Sequence, residues 1–308
     1  MGPFVNVWRE ISENCYYRCR SGRIVFGGIL PKAGQSVTVF TRTEASASVI
    51  NQEGITLTGR MSSITPVEAK HELNENETFD LVIVAVKSYH VSNVLKQFKP
   101  LWQKGCSWLF VQNGMDHLEE LTSIPSSVYL GVMEYGLYKH DHRAVVDVRG
   151  IGQLKMAVYR NKQVSSSNKE VETLFPFSNL NVVWMDGYQK MLEDKLVVNV
   201  CINPLTAILQ VKNGELRTNP IYQKEMHAYF IEVMNVLERG DMEQMWEYVL
   251  SVCLKTAANE SSMLVDLKRG RKLELDAIVG YVLKRGHEKR IGTPKLTNAY
   301  EQLVGSSV

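Results

Sequence analysis

Hydrophobic residues in the first half of the chain fall into short runs that predict the strands of a parallel sheet. Residues 80–86 read Asp-Leu-Val-Ile-Val-Ala-Val, and such a continuous apolar run is typical of a strand buried on both faces. From Ser36 onward, runs of this kind alternate with stretches of helical spacing, which predicts a doubly wound α/β fold. Further strands are expected at residues 37–40, 108–111, 128–131, 145–148, 153–158 and 182–185, and helices at residues 89–98 and 115–121.

The second half of the chain shows longer patterns with the period of an α-helix. They begin at about Asp186, so we expect a domain boundary near Met185. Residues 1–185 are predicted to form the sheet-based domain and residues 186–308 an all-helical one. The main helices are expected at residues 192–209, 223–238, 242–257 and 273–284.

One of these helices carries a line of polar residues. Lys195, Asn199 and Asn203 are four residues apart, so a helix places them on one face, and most of the remaining positions are apolar. Asn is a weak helix former and Pro204 removes a backbone donor, so local preference does not explain the pattern. The line can border a cleft or form a buried structural network. Alternatively, Lys195 pairs with a neighbouring acid on a solvated face.

Polar and charged residues follow three of the predicted strands. Ligands of open α/β sheets bind outside the carboxyl ends of the strands, which is where Asn113 and Lys87 are expected. Arg42 follows the strand at 37–40, where an arginine can accept the 2′-phosphate of NADPH. The alternatives are an ordinary turn at Asn113-Gly114 and a surface arginine at position 42.

Composition restricts the class of protein. The chain has 308 residues, a net charge of +2 and 22% charged residues, so no basic field indicates nucleic-acid binding. No run reaches the roughly eighteen apolar residues of a membrane helix, and no signal peptide is recognisable, so a cytoplasmic location is expected. We predict reduced thiols and no metal site, because the five cysteines are scattered: Cys15, Cys19, Cys106, Cys201 and Cys253.

Two further candidates lie in the last third of the chain. Ser262 supplies a hydroxyl and Glu274 a carboxylate. Their spacing alone is a weak signal, since Glu274 opens a predicted helix, where the helix dipole favours a negative charge in any case.

Taken together, these residues resemble ketopantoate reductase, also called 2-dehydropantoate 2-reductase, over roughly Phe26 to Gly305. The resemblance implies a Rossmann domain, a helical domain, and NADPH-dependent reduction of ketopantoate to pantoate in pantothenate and coenzyme A synthesis. It is compatible with a homodimer, which no residue pattern establishes. The motifs that carry it are Val86-Lys87, Gln112-Asn113-Gly114, the series Lys195, Asn199, Asn203 and Asn213-Gly214, Ser261-Ser262-Met263-Leu264, Glu274-Leu275-Asp276 with Gly280, and Thr293-Pro294.

The resemblance also implies residue roles. Lys195 matches the general acid and Glu274 the acid beside the catalytic site. The same lysine and asparagines could serve a related NADPH-dependent reductase of another 2-keto acid. The implied substrate contacts are Asn113, Asn199, Asn203, Asn213 and Ser262, and the implied cofactor contacts are Arg42, Lys87, Asn113 and Glu274.

The glycine-rich phosphate loop of such a reductase is missing. The segment 13–25 has one glycine, Gly22, and three arginines, Arg18, Arg20 and Arg23, in its place. One alternative is that these arginines bind phosphate by their charge, although their side chains would fill the space that glycines leave open. Residues 14–25 can be written in codons whose next frame reads Ile-Ala-Ile-Ile-Gly-Ala-Gly-Ala-Val-Gly-Leu, which contains the missing fingerprint. One hypothesis is therefore an out-of-frame N-terminus before Phe26. With this N-terminal sequence, we expect the first strand to be lost. The alternative to an active reductase is therefore a protein that cannot bind the cofactor.

Overall fold

The computed structural model describes residues 4–7, 26–31, 36–74, 76–140, 144–160 and 180–305. The chain divides into two compact units. We call Met1–Gln112 with Leu118–Met191 the sheet unit, and Asn113–His117 with Leu192–Val308 the helical unit.

An eight-stranded sheet organises the sheet unit. Its order is β5-β2-β1-β6-β7-β8-β11-β12, and all neighbours run parallel except β8 and β11. The order from β5 to β8 is that of a dinucleotide-binding fold, which confirms the predicted Rossmann-type sheet. These strands are β1 (Phe4–Val7), β2 (Val37–Phe40), β5 (Glu68–Lys70), β6 (Leu81–Val84), β7 (Ser107–Phe110), β8 (Val128–Met133), β11 (Leu154–Arg160) and β12 (Val182–Trp184).

Strand β1 corrects the expectation that the first strand is lost. Phe4 lies opposite both Val37 and Leu81, so β1 occupies the centre of the sheet between β2 and β6. Its sequence, Phe-Val-Asn-Val, is rich in aromatic and β-branched residues, which favour strands. The arginine-containing segment 13–25, with Cys15 and Cys19, lies outside the described residues.

The predicted apolar runs form the interior of this sheet. All four residues of β2, β6 and β7 are buried, as expected for parallel strands covered on both faces. Residues 26–29 are helical and pack closely on a second sheet. A Cβ atom on Gly27 would lie 2.5 Å from Cδ1 of Ile55, so a side chain there would require Ile55 to shift.

The second sheet was not predicted as a sheet, although one of its strands was expected at residues 145–148; its other three strands are short and only partly buried. Its order is β4-β3-β10-β9. The hydroxyl of Thr65 donates a 2.9 Å hydrogen bond to the Gly28 carbonyl, which ties it to the helical residues 26–29. Its strands are β3 (Ile55–Gly59), β4 (Ser63–Thr65), β9 (Gly136–Lys139) and β10 (Val145–Gly150).

The predicted helix at 115–121 is largely wrong. Only Leu118–Leu121 is helical, because Gly114 has a φ of 77° and the Met115 amide donates outward to the Ala277 carbonyl at 3.3 Å. Besides the helical residues 26–29, the α-helices of the sheet unit up to this point are α1 (Glu44–Glu53), α2 (Val91–Gln97) and α3 (Leu118–Leu121). Two 3₁₀ turns lie at Ser88–His90 and Lys99–Lys104.

Three of the four helices predicted for the helical unit are present near 192–209, 223–238 and 242–257, whereas the helices at 215–218, 262–268 and 294–305 were not predicted. The helix expected at 273–284 starts as a π-helix, Asp276–Gly280, before it becomes α-helical. No helix in the described part of the chain has the length and apolar character of a membrane span. The helices are α4 (Tyr188–Leu209), α5 (Glu215–Thr218), α6 (Pro220–Val236), α7 (Met242–Lys255), α8 (Ser262–Lys268), α9 (Tyr281–Lys289) and α10 (Pro294–Gly305).

A buried arginine fixes the part of α4 that precedes the polar line. Arg239 donates to both carboxylate oxygens of Asp241, at 2.8 and 2.5 Å, and approaches Asp194 at 2.7 Å. Its Nη1 atom lies 3.7 Å from the carboxylate of Glu193. The hydrogen bond to Asp241 and the charge of Asp194 raise the pKa of Arg239. The guanidinium thus joins α4 to the turn between α6 and α7.

We expect Arg239→Met to lower the free energy of unfolding by about 3 kcal/mol, because it leaves three carboxylates close together with no guanidinium between them. Urea denaturation measures this change. The matched control is Arg285→Met, which removes an exposed ion pair with Glu288 and should change the free energy by less than about 0.5 kcal/mol. Equal effects of the two substitutions would contradict the role of Arg239.

Candidate active site

Helix α4 places the predicted polar line on one face. Asn199 and Asn203 are each 6% exposed and Lys195 is half-buried. Within the described chain, Nδ2 of Asn199 donates no hydrogen bond. A buried donor without an acceptor costs about 1–3 kcal/mol, so this amide is either an uncompensated defect or a group kept for a ligand.

Thr206 extends the polar line and was missed from the sequence. It is fully buried, and its Oγ1 lies 2.8 Å from the Ile202 carbonyl and 2.7 Å from Oγ of Ser261. Ser261 in turn accepts from the Leu264 amide and caps α8, which leaves Ser262 exposed as the first residue of that helix. The position of Thr206, three residues after Asn203, is the signal that could have identified it.

In Asn213 the acceptor of the side-chain amide lacks a partner among the described residues, whereas in Asn199 it is the donor. Nδ2 of Asn213 donates to Oγ1 of Thr256 at 2.9 Å, but its buried Oδ1 accepts no hydrogen bond from the described residues. The backbone amides of Asn213 and Gly214 donate to the carbonyls of Asn259 and Ala257, at 3.0 and 3.2 Å. Among the described residues, Asn199 therefore offers an unpaired amide donor and Asn213 an unpaired amide acceptor.

The Asn113 loop lies against the segment that carries Glu274. Nδ2 of Asn113 donates to Oε2 of Glu274 at 3.4 Å, and the glutamate is 4% exposed. A Cβ atom on Gly114 would lie 2.1 Å from the Ala277 carbonyl oxygen, so the loop can approach this closely only with glycine. The simpler interpretation of the sequence was an ordinary Asn-Gly turn. The chain does bend at Asn113-Gly114, and Asn113 also contacts a buried carboxylate.

The remaining predicted residues belong to the sheet unit. Arg42 is half-buried and follows Thr41, whose hydroxyl donates to the Thr43 carbonyl at 2.8 Å. Lys87 precedes the 3₁₀ turn after β6. Gln112 joins the ends of β6 and β7, since its Nε2 donates to the Val84 and Val86 carbonyls at 2.8 and 3.3 Å.

This edge of the sheet has the strand order at which dinucleotides bind. Strands β2 and β6 flank β1, so Arg42 and Lys87 follow strands on either side of the point at which the strand order reverses. Both are cations, so their charge is opposite to that of a phosphate and attracts it. The residues between β1 and position 26, where the glycine fingerprint is expected, lie outside the described part of the chain.

Comparisons with known proteins match both units to the same family. The family model "Ketopantoate reductase PanE/ApbA" matches residues 24–161, and its C-terminal counterpart matches residues 188–305. A 2-dehydropantoate 2-reductase of Bacillus subtilis is 37% identical over 252 residues, covering 80% of this chain and 82% of the relative. One from Listeria innocua is 32% identical over 275 residues, covering 87% of this chain and 88% of the relative.

Solved structures agree. A probable 2-dehydropantoate 2-reductase from Bacillus subtilis superposes with a TM-score of 0.82 at 31% identity, covering 98% of this chain and all of the other. A D-mandelate dehydrogenase with bound NADH has a TM-score of 0.86 at 18% identity, covering 98% of both chains, and this likeness concerns the fold alone. With both family models matched in order and relatives above 30% identity over most of its length, the chain belongs to the ketopantoate reductase PanE/ApbA family.

Proposed function

We propose that the protein reduces 2-dehydropantoate to pantoate with NADPH. The observation that supports this best is the buried, unpaired amide of Asn199, on the same helix face as Lys195, in a chain whose relatives are 2-dehydropantoate 2-reductases. A buried donor retained without a protein acceptor is typical of a site that binds a polar ligand.

Lys195 serves as the general acid. The cofactor, when bound, supplies a hydride. Addition of the hydride to the C2 carbonyl of the keto acid puts negative charge on the carbonyl oxygen, and an ammonium close to that oxygen stabilises the charge and donates a proton. The half-buried position of Lys195 limits screening by water, which makes its charge more effective.

The asparagines orient the substrate. The unpaired Nδ2 of Asn199 donates to a carboxylate or hydroxyl oxygen of the substrate, and the unpaired Oδ1 of Asn213 accepts from its hydroxyl. Neutral amides do this without adding a charge that competes with Lys195. Asn203, Ser262 and Asn113 complete the substrate contacts, and Glu274 holds Asn113 beside the reacting carbon.

Arg42 and Lys87 bind the phosphates of the cofactor, and Arg42 sets the preference for NADPH over NADH. The guanidinium follows β2, at the position where the adenosine ribose lies in dinucleotide folds. The central position of β1 supports cofactor binding, whereas the lack of a glycine fingerprint before residue 26 supports the alternative of a cofactor-incompetent protein. NADPH binding separates the two.

The oligomeric state and the choice of keto acid belong to the same proposal. A ketopantoate reductase from Staphylococcus aureus is described as dimeric, and we propose a homodimer for this chain as well. Reduction of a different 2-keto acid is the alternative, and a panel of such acids distinguishes the two activities.

Lys195→Ala should lower kcat by about 10²–10⁴-fold while the Kd for NADPH stays within about twofold, because the general acid acts on the carbonyl oxygen and not on the cofactor. Steady-state assays of NADPH oxidation with ketopantoate measure kcat. Lys224→Ala, which removes an exposed ammonium from α6, is the control and should retain the parent rate. A folded parent chain that binds NADPH but turns over other 2-keto acids faster would refute the substrate assignment.

Asn199→Leu should raise the KM for ketopantoate by about tenfold without reducing the free energy of unfolding, since the amide donates to no described protein atom. Asn219→Ala should do the opposite. Asn219 accepts from the Ile221 and Tyr222 amides at the start of α6, so its loss should cost about 1 kcal/mol of stability and leave KM unchanged. Destabilisation by Asn199→Leu with an unchanged KM would assign Asn199 to a structural network.

Arg42→Gln should weaken NADPH binding by about 10–100-fold and leave NADH binding unchanged, because only NADPH carries the 2′-phosphate. Fluorescence titration of both cofactors measures this. The control is Arg60→Gln, an exposed arginine after β3. Equal weakening for both cofactors would show that Arg42 does not read the 2′-phosphate, and no NADPH binding by the folded parent chain would favour the cofactor-incompetent alternative.

A further inference from the structure

The turn that follows Glu274 is a π-helix and not an ordinary α-helix. It spans Asp276–Gly280, and the Tyr281 amide at its end donates to the Asp276 carbonyl five residues earlier. A π-helical turn is rare, since its hydrogen-bond geometry is poorer than that of an α-helix, and it is frequent at functional sites. Neighbouring groups must therefore hold it in this form.

On one side the π-helix is held by the Asn113 loop. The Met115 amide donates to the Ala277 carbonyl at 3.3 Å, and Gly114 leaves no space for a side chain against the same carbonyl. The contact between Asn113 and Glu274 lies immediately beside these two groups. The separation of Asn113 and Glu274 thus depends on where the π-helix places Ala277.

On the other side it is held by helix α10. The hydroxyl of Tyr300 donates to Oδ1 of Asp276 at 2.5 Å, and a Cβ atom on Gly280 would lie 3.5 Å from Cε2 of the Tyr300 ring. The hydrogen bond to Asp276 raises the pKa of Tyr300 to about 12, so the phenol remains a donor through the physiological pH range.

Helix α10 is itself fixed. The carboxylate of Glu232 on α6 accepts from the backbone amides of Lys295 and Leu296 at 2.8 and 2.9 Å, which satisfies two of the free donors at the start of α10. Leu296 and Ala299 are fully buried. Tyr300 therefore extends from a helix whose start is held by Glu232, whereas Asp276 is exposed.

We propose that Tyr300 and Asp276 are positioning residues, whose hydrogen bond holds the π-helix so that Glu274 meets Asn113. This inference rests on the proposed function, because it assigns Glu274 and Asn113 to the reaction. This role needs no contact between the substrate and either Tyr300 or Asp276. Their loss lets the turn relax towards an α-helix, which shifts Ala277 and moves Glu274 away from the Asn113 amide.

Tyr300→Phe tests the proposal, because it keeps the ring beside Gly280 and removes only the hydroxyl. We expect kcat for ketopantoate to fall about tenfold, as a small misplacement of catalytic groups does, with the Kd for NADPH unchanged. We also expect faster hydrogen exchange of the Met115 amide, which donates to the far side of the π-helix. Tyr222→Phe, which removes a hydroxyl from α6, is the control and should change neither quantity.

Variants at the acceptor make the test specific. Asp276→Asn keeps an oxygen acceptor and should retain kcat within about twofold, whereas Asp276→Ala should match Tyr300→Phe. The double variant Asp276→Ala with Tyr300→Phe should lose no more than either single variant, since both remove the same hydrogen bond. If Tyr300→Phe does not fold, the pair of Asp276 variants carries the test.

Two results would overturn the proposal: parent values of kcat and Met115 exchange in Tyr300→Phe, or losses of kcat that multiply in the double variant. A parent chain with no ketopantoate turnover would refute the proposed function separately. The exchange rate of the Met115 amide then still decides whether Tyr300 holds the π-helix.

Discussion

The burial of amide groups on helix α4 is the constraint on which the site depends. Asn199 and Asn203 lie among apolar residues that give the helical unit its core, and an unpaired amide in that setting costs about 1–3 kcal/mol. Stability alone would favour leucine at such positions. Nδ2 of Asn199 and Oδ1 of Asn213 have no partner among the described residues, which supports the proposal that a ligand completes their hydrogen bonds.

Contacts of Arg239 and Thr206 keep α4 in place. Arg239 binds the acids that precede Lys195, and Thr206 joins the segment after Asn203 to the cap of α8. Both contacts join α4 to a neighbouring element of the helical unit. Consequently Lys195, the two asparagines and Ser262 are presented by helices whose relative positions are fixed by buried polar contacts, which suits a site that must orient a small polar substrate.

The features that the sequence predicted well are local ones. Strands β6 and β7 each have four consecutive buried residues, and the resulting apolar runs can be recognised without knowing which elements pack on them. Residues four apart on α4 share a face wherever the helix lies. Features that depend on residues distant in the chain were either missed or inferred only from the family resemblance. The helix expected at 115–121 is broken by a contact with Ala277, and Asn113 and Glu274 are 161 residues apart in the chain, so the family resemblance alone linked them.

The N-terminus shows how these two kinds of information differ. Residues 4–7 form a strand because they favour the strand conformation and can pair with β2 on one side and β6 on the other. This pairing does not depend on the residues that follow. A phosphate loop is more demanding, since its glycines must let backbone amides approach the pyrophosphate at a helix start. The family model begins to match at residue 24, just before the helical residues 26–29 that pack on Ile55 and Leu57. The sheet scaffold can therefore be complete while the chemistry of cofactor binding still depends on the residues between β1 and Phe26.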